Sequence, residues 1–107
     1  MKIFNASDLN QRIELYREIE TDDGYGGTIV IEALVVRAWA NVYAPKSRDG
    51  VIAMSGAVTI SYEVTVRSGF PVEYGDIIVW HSERMKVVDY RPIQDRQFLS
   101  IMCETER

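Results

Sequence analysis

The clearest pattern in the chain is a strict alternation of apolar and polar residues between Val58 and Arg67. Val58, Ile60, Tyr62, Val64 and Val66 alternate with Thr59, Ser61, Glu63, Thr65 and Arg67. Successive side chains of a strand point to opposite faces, so this segment is predicted to be a half-buried strand with one dry and one wet face. Because one strand cannot bury its apolar face alone, the rest of the chain must supply a sheet or barrel around it.

Further extended segments are predicted on both sides of this strand, with turn-forming residues between them. The predicted strands cover residues 10–19, 28–33, 35–43, 76–80, 85–90 and 97–105, and the turns cover 20–27, 68–75, 81–84 and 91–95. Segment 35–43 is apolar on both faces, which leaves open whether Trp39 or the set containing Ala38 and Ala40 faces the core. No convincing helix is present. We therefore predict an all-β fold, a small antiparallel β-barrel of about six strands, with residues 1–107 in a single domain.

One connection in this scheme is much longer than a hairpin turn. Residues 44–57 separate two predicted strands, whereas loops of roughly 4 to 6 residues are usual. Long loops are often functional, so this segment is the predicted site of partner or channel contacts. Its candidate residues are Lys46, Ser47, Arg48, Asp49, Gly50, Val51, Ile52 and Met54.

Charge and cysteine content narrow the classes of function. The chain has 16 acidic and 12 basic residues, a net charge of -4, which disfavours a protein that binds by gripping nucleic-acid phosphates. The single cysteine, Cys103, lies in an apolar alternation and is predicted to be buried and inert. No apolar run is long enough for a membrane helix, so we expect no membrane partner.

Two groups of polar residues suggest site chemistry, but neither has the spacing that the chemistry needs. Glu18, Glu20, Asp22 and Asp23 lack the regular oxygen-ligand ladder of a calcium loop, so a solvated hairpin tip is the favoured interpretation. His81, Ser82 and Asp76 contain the residue types of a catalytic triad, yet no nucleophile-elbow sequence surrounds Ser82. We expect neither catalysis nor a cofactor or metal.

Aromatic residues on the predicted sheet leave a second class of function open. Tyr16, Tyr43, Tyr62 and Trp80 could stack bases in a barrel that binds single-stranded nucleic acid. They serve equally well as core or interface residues, and the acidic balance argues against the positive groove that such barrels use.

The order of the segments resembles a known family. LNQRIELYRE, D-x-Gly-x-Gly-Gly, WANVY, a long loop, YEVTVR, DIIVWHSERMKVVDYRP and FLSIMCE follow one another as in the head-tail joining proteins of tailed bacteriophages, also called head-closure or stopper proteins. Matching positions are Leu9, Arg12-Ile13, Gly26-Gly27, Trp39-Ala40, Thr65-Val66-Arg67 and Cys103-Glu104. The link from Ser68 to Gly75 is longer than in the family pattern.

The resemblance implies a structural protein of the virion head–tail interface, assembled in the cytoplasm of a bacterial host. Such proteins are small β-barrels with a long loop, forming a ring that is usually twelve-fold. The ring lies below the portal and its adaptor, closes the DNA-filled head and offers a docking surface to a tail-completion or tail protein. Genomic DNA passes through as cargo, so we expect an acidic channel wall, with Lys46 and Arg48 as exceptions if their loop reaches the axis. A tail-completion or tail-terminator protein is the alternative within the same junction.

Overall fold

The described part of the chain is built almost entirely from strands. The computed structural model describes residues 3–43, 51–52 and 58–106, within which the strands are β1 (Gln11–Asp22), β2 (Thr28–Tyr43), β3 (Val51–Ile52), β4 (Val58–Arg67), β5 (Ile77–Trp80), β6 (Glu83–Ile93) and β7 (Phe98–Glu106). A single turn of 3-10 helix (Ala6–Asp8) precedes them, capped by reciprocal bonds between Asn5 and Asp8. The all-β prediction is confirmed.

Six of these strands form one antiparallel sheet that closes on itself. Neighbours follow the order β2-β1-β5-β6-β7-β4, and β4 pairs in turn with β2 through Asn41–Tyr43 and Glu63–Thr65. The short β3 adds to the free side of β4 at Val58 and Thr59. The predicted number of antiparallel strands is therefore confirmed, and closure gives most of them a partner on both edges.

The interior of this ring of strands is a single apolar core. Its buried members come from every strand of the ring and, in Val72, from the loop before β5: Ile13, Leu15, Ala40, Tyr62, Val64, Val66, Val72, Ile78, Met85, Val87, Ile101 and Cys103. The inward alternation predicted for β4 is confirmed at Tyr62, Val64 and Val66. Each strand thus buries one face, as the period-2 pattern requires.

A second, smaller cluster covers the outer face of β4 and β7. Phe4 and Leu9 of the N-terminal segment pack on Phe98, and this lead-in is tied down by Gln94, which accepts from the Phe4 N–H (2.7 Å) and donates to its carbonyl (2.6 Å). Under this cover Thr65 is 1% exposed beside its strand partner Ser100. The prediction of a wholly wet face on β4 is therefore wrong at Thr65, because the lead-in covers it.

Strand β2 was predicted as two pieces and is one. Leu15 pairs with Val36 but Tyr16 pairs with Leu34, so Val35 is an extra residue that forms a β-bulge. The extra residue reverses the order in which apolar and polar side chains alternate along β2. In the sequence this reversal looks like the end of one strand and the start of another. The same strand settles the question left open above: Ala40 is buried and Trp39 is 55% exposed.

Three predicted turns are shorter than expected. Glu20, Thr21 and Asp22 remain in β1, so the first turn begins at Asp23. Strand β6 continues through Pro92 to Ile93. Beyond Lys86 its other edge pairs with no strand among the described residues, so the N–H that proline lacks is not needed for a ladder hydrogen bond. The last turn comprises residues 94–97, and its Gln94, Asp95 and Arg96 all have positive φ. Between β5 and β6 the turn is only His81 and Ser82, both with positive φ, as a two-residue hairpin turn needs.

Candidate partner-binding surfaces

The loop that the sequence singled out lies mostly outside the described residues. Lys46, Ser47, Arg48, Asp49, Gly50 and Met54 belong to the undescribed ranges 44–50 and 53–57. Val51 and Ile52 are described as backbone only, in β3, where they pair with Thr59 and Val58. The prediction that these residues form a contact site therefore stays a prediction.

A cleft of about 420 Å³ lies beside the start of this loop. Its lining comes from the lead-in and from the outer face of β2, β4, β6 and β7: Ile3, Phe4, Asn41, Tyr43, Glu63, Thr65, Arg91, Ile93, Gln94 and Ser100. Within it Glu63 accepts a bond from the Ser100 hydroxyl at 3.1 Å. The lining of the cleft is mainly apolar, and among its polar side chains Gln94 is bonded to the backbone of Phe4 and Asn41 to the carbonyl of Asp8.

The hairpin of β1 and β2 extends well beyond the closed sheet. Strand β1 pairs with β5 only at residues 14–16, and β2 pairs with β4 only at residues 41–43. Residues 18–35, here called the arm, therefore pair only with each other among the described residues. The radius of gyration of 15.6 Å exceeds the roughly 13 Å expected for a compact domain of this length, in agreement with a projecting element.

The two faces of the arm differ in chemistry. Ile19 pairs with Ile31 and Thr21 with Ile29, so these four side chains share one face. The pairs Glu18–Glu32, Glu20–Val30 and Asp22–Thr28 occupy the other. The three isoleucines are 42–47% exposed, and Tyr25 at the tip is 94% exposed. One face is apolar and open, and the other is acidic.

Two groups of ion pairs hold the base of the arm against the body. Arg17 donates to both carboxylate oxygens of buried Asp76 (3.0 and 2.8 Å), to Pro71 O, and pairs with Glu73. Its hydrogen bonds to Asp76 raise the pKa of the Arg17 guanidinium. Arg84, on β6, makes a two-pronged pair with Glu32, which lowers the pKa of that carboxyl. Between Glu32 and the tip of the hairpin, no ion pair within the described part of the chain connects the arm to the body.

A second cleft, of about 390 Å³, opens on another side of the molecule. It is lined by Ala6, Leu9, Ala38, Trp39, Val66, Arg67, Ser68 and Phe70. The Arg12 guanidinium carbon lies 5.1 Å from the centre of the Trp39 ring, a cation–π contact. This cleft, here called the Trp39 cleft, combines apolar side chains with two arginines.

The three residues that have the types of a catalytic triad do not converge. Asp76 is committed to Arg17 and to the Glu73 N–H, and strand β5 separates it from His81. His81 stacks on Trp80, with ring centres 4.4 Å apart. Ser82 is exposed in the hairpin turn. The arrangement has no nucleophile hydrogen-bonded to a base.

The acidic residues of the first turn serve the turn itself. Asp22 accepts from the Gly24 N–H, and Asp23 from the N–H groups of Tyr25 and Gly27. A Cβ on Gly27 would lie 2.8 Å from the Asp23 carboxylate, so a side chain there would require that carboxylate to shift. Within the described residues, no three His, Cys, Asp or Glu side chains are placed to hold a metal ion.

The predicted base-stacking aromatics do not form a common platform. Tyr62 is in the core with its ring edge against Trp80 (6.0 Å), and the Trp80 indole donates to Gln11 at 3.0 Å. Tyr16 is half-buried and bonds Glu14, while Tyr43 is 60% exposed beside the first cleft. Two of the four are therefore structural.

Cys103 is buried in the core as predicted, with no exposed surface. Burial raises the pKa of its thiol to about 12, so the reactive thiolate is scarce at neutral pH. The side chain is inert to thiol chemistry in the folded state.

Sequence reasoning missed the arm and the residues that brace it. The signal that could have found the arm is a run from Glu18 to Val36 that holds five acidic residues and no lysine or arginine. Nothing in the local sequence marks Arg17 or Arg84, since their partners lie 59 and 52 residues away.

Comparison with known proteins gives both a fold and a family. Residues 4–106 match the sequence model of a family described as phage head completion protein. A chain of the virion of a native gene transfer agent particle has a similar structure (TM-score 0.73, 16% identity), with 92% of this chain and 96% of that chain covered. Protein SF1141 from Shigella flexneri 2a is also similar (TM-score 0.71, 19% identity), with 95% and 96% covered. These two likenesses concern the fold.

No curated protein matches the chain. Among the described residues, no helix is long and apolar enough to cross a membrane. The family match covers nearly the whole sequence and agrees with the resemblance carried by its strand motifs. The chain belongs to the phage head completion protein family and is a structural component of the phage particle.

Proposed function

We propose that this protein closes the DNA-filled head as a ring of identical subunits below the portal and its adaptor. The opposite surface of the ring receives the tail, through a tail-completion or tail protein. The observation that carries the proposal is the match of residues 4–106 to the head completion family. Its location in the particle is then the head–tail interface, after assembly in the host cytoplasm.

The shape of the subunit supports assembly into a ring. A closed ring needs two unlike surfaces on each subunit that mate head to tail, in contrast to the self-complementary surface of a dimer. The projecting arm and the clefts of the body are unlike surfaces of this kind. We propose that the ring contains twelve subunits, the usual number implied by the family resemblance.

The experiment that tests this function is inactivation of the gene followed by electron microscopy of the lysate. Unattached tails beside heads that have lost their DNA are expected, because an unclosed head leaks. Filled heads without usable tails would instead indicate the tail-completion or tail-terminator role. Normal infectious particles would exclude both.

The segment from 44 to 57 is proposed to contact a neighbouring subunit or to enter the channel. Support comes from its length and from its two ends, which leave β2 at Tyr43 and return at Val58 on neighbouring strands of the sheet. Lys46 and Arg48 would then be able to meet DNA phosphates, whereas the acidic remainder of the wall would let DNA slide.

Deletion of residues 46–55 tests the loop. We expect a folded protein whose particles fail to retain DNA, because the core of the described residues lies in the other strands and the deletion removes only β3 from the sheet. Retention of packaged DNA is measured by nuclease protection. The matched charge variants Lys46→Glu and Arg48→Glu separate a charge effect from a loss of contact. Full particles from the deletion variant would contradict the role of the loop.

A further inference from the structure

The open apolar face of the arm continues the inward face of the barrel. Ile13 and Leu15, both fully buried, are followed on the same side of β1 by Arg17, Ile19 and Thr21. Arg17 marks the point where this face leaves the body, and beyond it the isoleucines have no covering element among the described residues. A two-stranded ribbon is marginally stable in water unless its apolar face is covered. This face therefore has the chemistry of a surface that another chain covers.

Net charge is divided unevenly between the arm and the rest of the chain. The arm contains Glu18, Glu20, Asp22, Asp23 and Glu32 and no basic residue, so it carries -5. Removing these five from the 16 acidic residues leaves 11, against 12 basic residues, so the remainder carries +1. An acidic arm is attracted to the body of another copy and repelled by another arm.

The Trp39 cleft is the complementary surface on the body. It is lined by apolar side chains and Arg67, is flanked by Arg12, and has no carboxylate in its lining. Neither Arg12 nor Arg67 makes an ion pair within the described part of the molecule. An incoming ribbon could cover Trp39 with its apolar face, while the carboxylates of its other face bring negative charge near these guanidinium groups.

We propose that the arm of one subunit docks on the Trp39 cleft of a second copy of this chain. The isoleucine face of the arm and Tyr25 cover the cleft, and the negative charge of the arm is attracted by Arg12 and Arg67. Because arm and cleft are different surfaces, each subunit gives one and receives one, and such a head-to-tail contact builds a ring where the rotation between subunits closes. The inference deepens the proposed ring and depends on it.

Engineered disulfides test the contact directly, since Cys103 is the sole native cysteine and is buried. The variant Tyr25→Cys/Ser68→Cys places one thiol at the arm tip and one at the rim of the cleft, both at exposed positions. Under mild oxidation of the concentrated protein we expect a ladder of covalent oligomers on a non-reducing gel. A mixture of the two single variants should stop at a dimer, because each chain then has one usable end.

Two controls make the result specific. The pair Tyr25→Cys/Lys86→Cys moves the second thiol to exposed β6, away from the cleft, and should give no ladder. Adding Arg67→Glu to the first pair should abolish its ladder through charge repulsion. Absence of a ladder from Tyr25→Cys/Ser68→Cys, or an equal ladder from the control pair, would overturn the docking contact.

Sedimentation of the wild-type chain separates this contact from the ring itself. If the wild-type chain sediments as oligomers but the Tyr25→Cys/Ser68→Cys variant gives no ladder, the arm–cleft contact is overturned. Assembly into a ring through other surfaces would then still hold. Failure of head closure is measured independently in the gene-inactivated lysate.

Discussion

Asp76 is the residue whose role is most fully determined by the structure. Its side chain is 3% exposed, and its two oxygens accept from the Arg17 Nε and Nη2 atoms and from the Glu73 N–H. A buried carboxylate is stable only when it is paired in this way. The bonds fix the loop before β5 and the base of the arm to each other.

Removing this carboxylate should destabilise the protein strongly. We expect Asp76→Ala to lower the free energy of unfolding by about 3 kcal/mol, because it leaves a partly buried Arg17 and a backbone N–H without their acceptor. Urea denaturation measures the change. Glu73→Ala is the matched control: its side chain is 66% exposed, and loss of a surface ion pair costs less than about 1 kcal/mol. Equal losses in both variants would contradict the assignment.

The sequence could not have revealed this role. Asp76 attracted notice only because it is near His81 and Ser82 along the chain, and its true partner is 59 residues away. By contrast, the burial of Cys103 was predictable, since its neighbours Ile101 and Thr105 continue the alternation of a strand that faces the core.

At the scale of single elements, the bulge in β2 explains why that strand was predicted as two pieces, whereas the bulge in β6 lies inside the predicted strand 85–90 and caused no break. Val35 in β2 and Val88 in β6 are extra residues without a cross-strand partner. Each lies where two or more apolar residues follow one another, so the period-2 pattern is interrupted although the strand continues. At Val35, alternation identified a strand on either side of the bulge but did not join the two halves.

The arm is also the element whose attachment should depend on pH. Its ion pair with Arg84 lowers the pKa of Glu32 below that of an ordinary glutamate. A depressed pKa in the folded state means that the pair stabilises the fold above the unfolded pKa, about 4.3, and that this contribution is lost as pH falls through the depressed value. The ion pair between Glu32 and Arg84 therefore holds the arm at neutral pH and is lost in acid.

Glu32→Gln should reproduce at pH 7 the effect of acid on the wild type. We expect the backbone NMR signals of residues 28–35 to shift toward their acidic positions, because Arg84 loses its charged partner. Glu20→Gln, on the same face of the arm but without a basic partner in the described residues, is the control and should leave those signals in place. Unchanged signals in Glu32→Gln would show that the pair does not hold the arm.

At the scale of the whole molecule, the closed sheet and the arm make different contributions to stability. The body buries Ile13, Ile78 and Ile101 completely, whereas the isoleucines of the arm remain nearly half exposed. The same residue type thus serves folding in one place and, in our proposal, association in the other. This difference can be measured with two substitutions of identical chemistry.

Ile13→Ala should lower the free energy of unfolding by about 2 to 5 kcal/mol, because it leaves a cavity in the core. Ile31→Ala removes only a cross-strand contact with Ile19 and should cost below about 1 kcal/mol. Urea denaturation of the two variants tests both values. A loss in Ile31→Ala as large as that in Ile13→Ala would mean that the arm is already covered in the single chain.

The number of strands and the closed antiparallel sheet followed from alternation, since each predicted strand needs a partner on both sides. The projecting arm did not, because exposure of Ile19, Ile29 and Ile31 depends on where β5 and β4 stop pairing with β1 and β2. The predicted loop residues, from Lys46 to Met54, remain a prediction. Which surfaces are in contact in a particle depends on the partner chain as well. The pattern of apolar and polar residues in this chain describes only its own surface.

The clamp between Gln94 and Phe4 joins residues 90 positions apart, and it constrains the order in which the molecule can be completed. During synthesis the first residues emerge long before their anchor on the last hairpin exists, and Phe98, the other side of their apolar cluster, emerges later still. The bonds of Phe4 to Gln94 and its packing on Phe98 can therefore form only after residues 94–98 have left the ribosome.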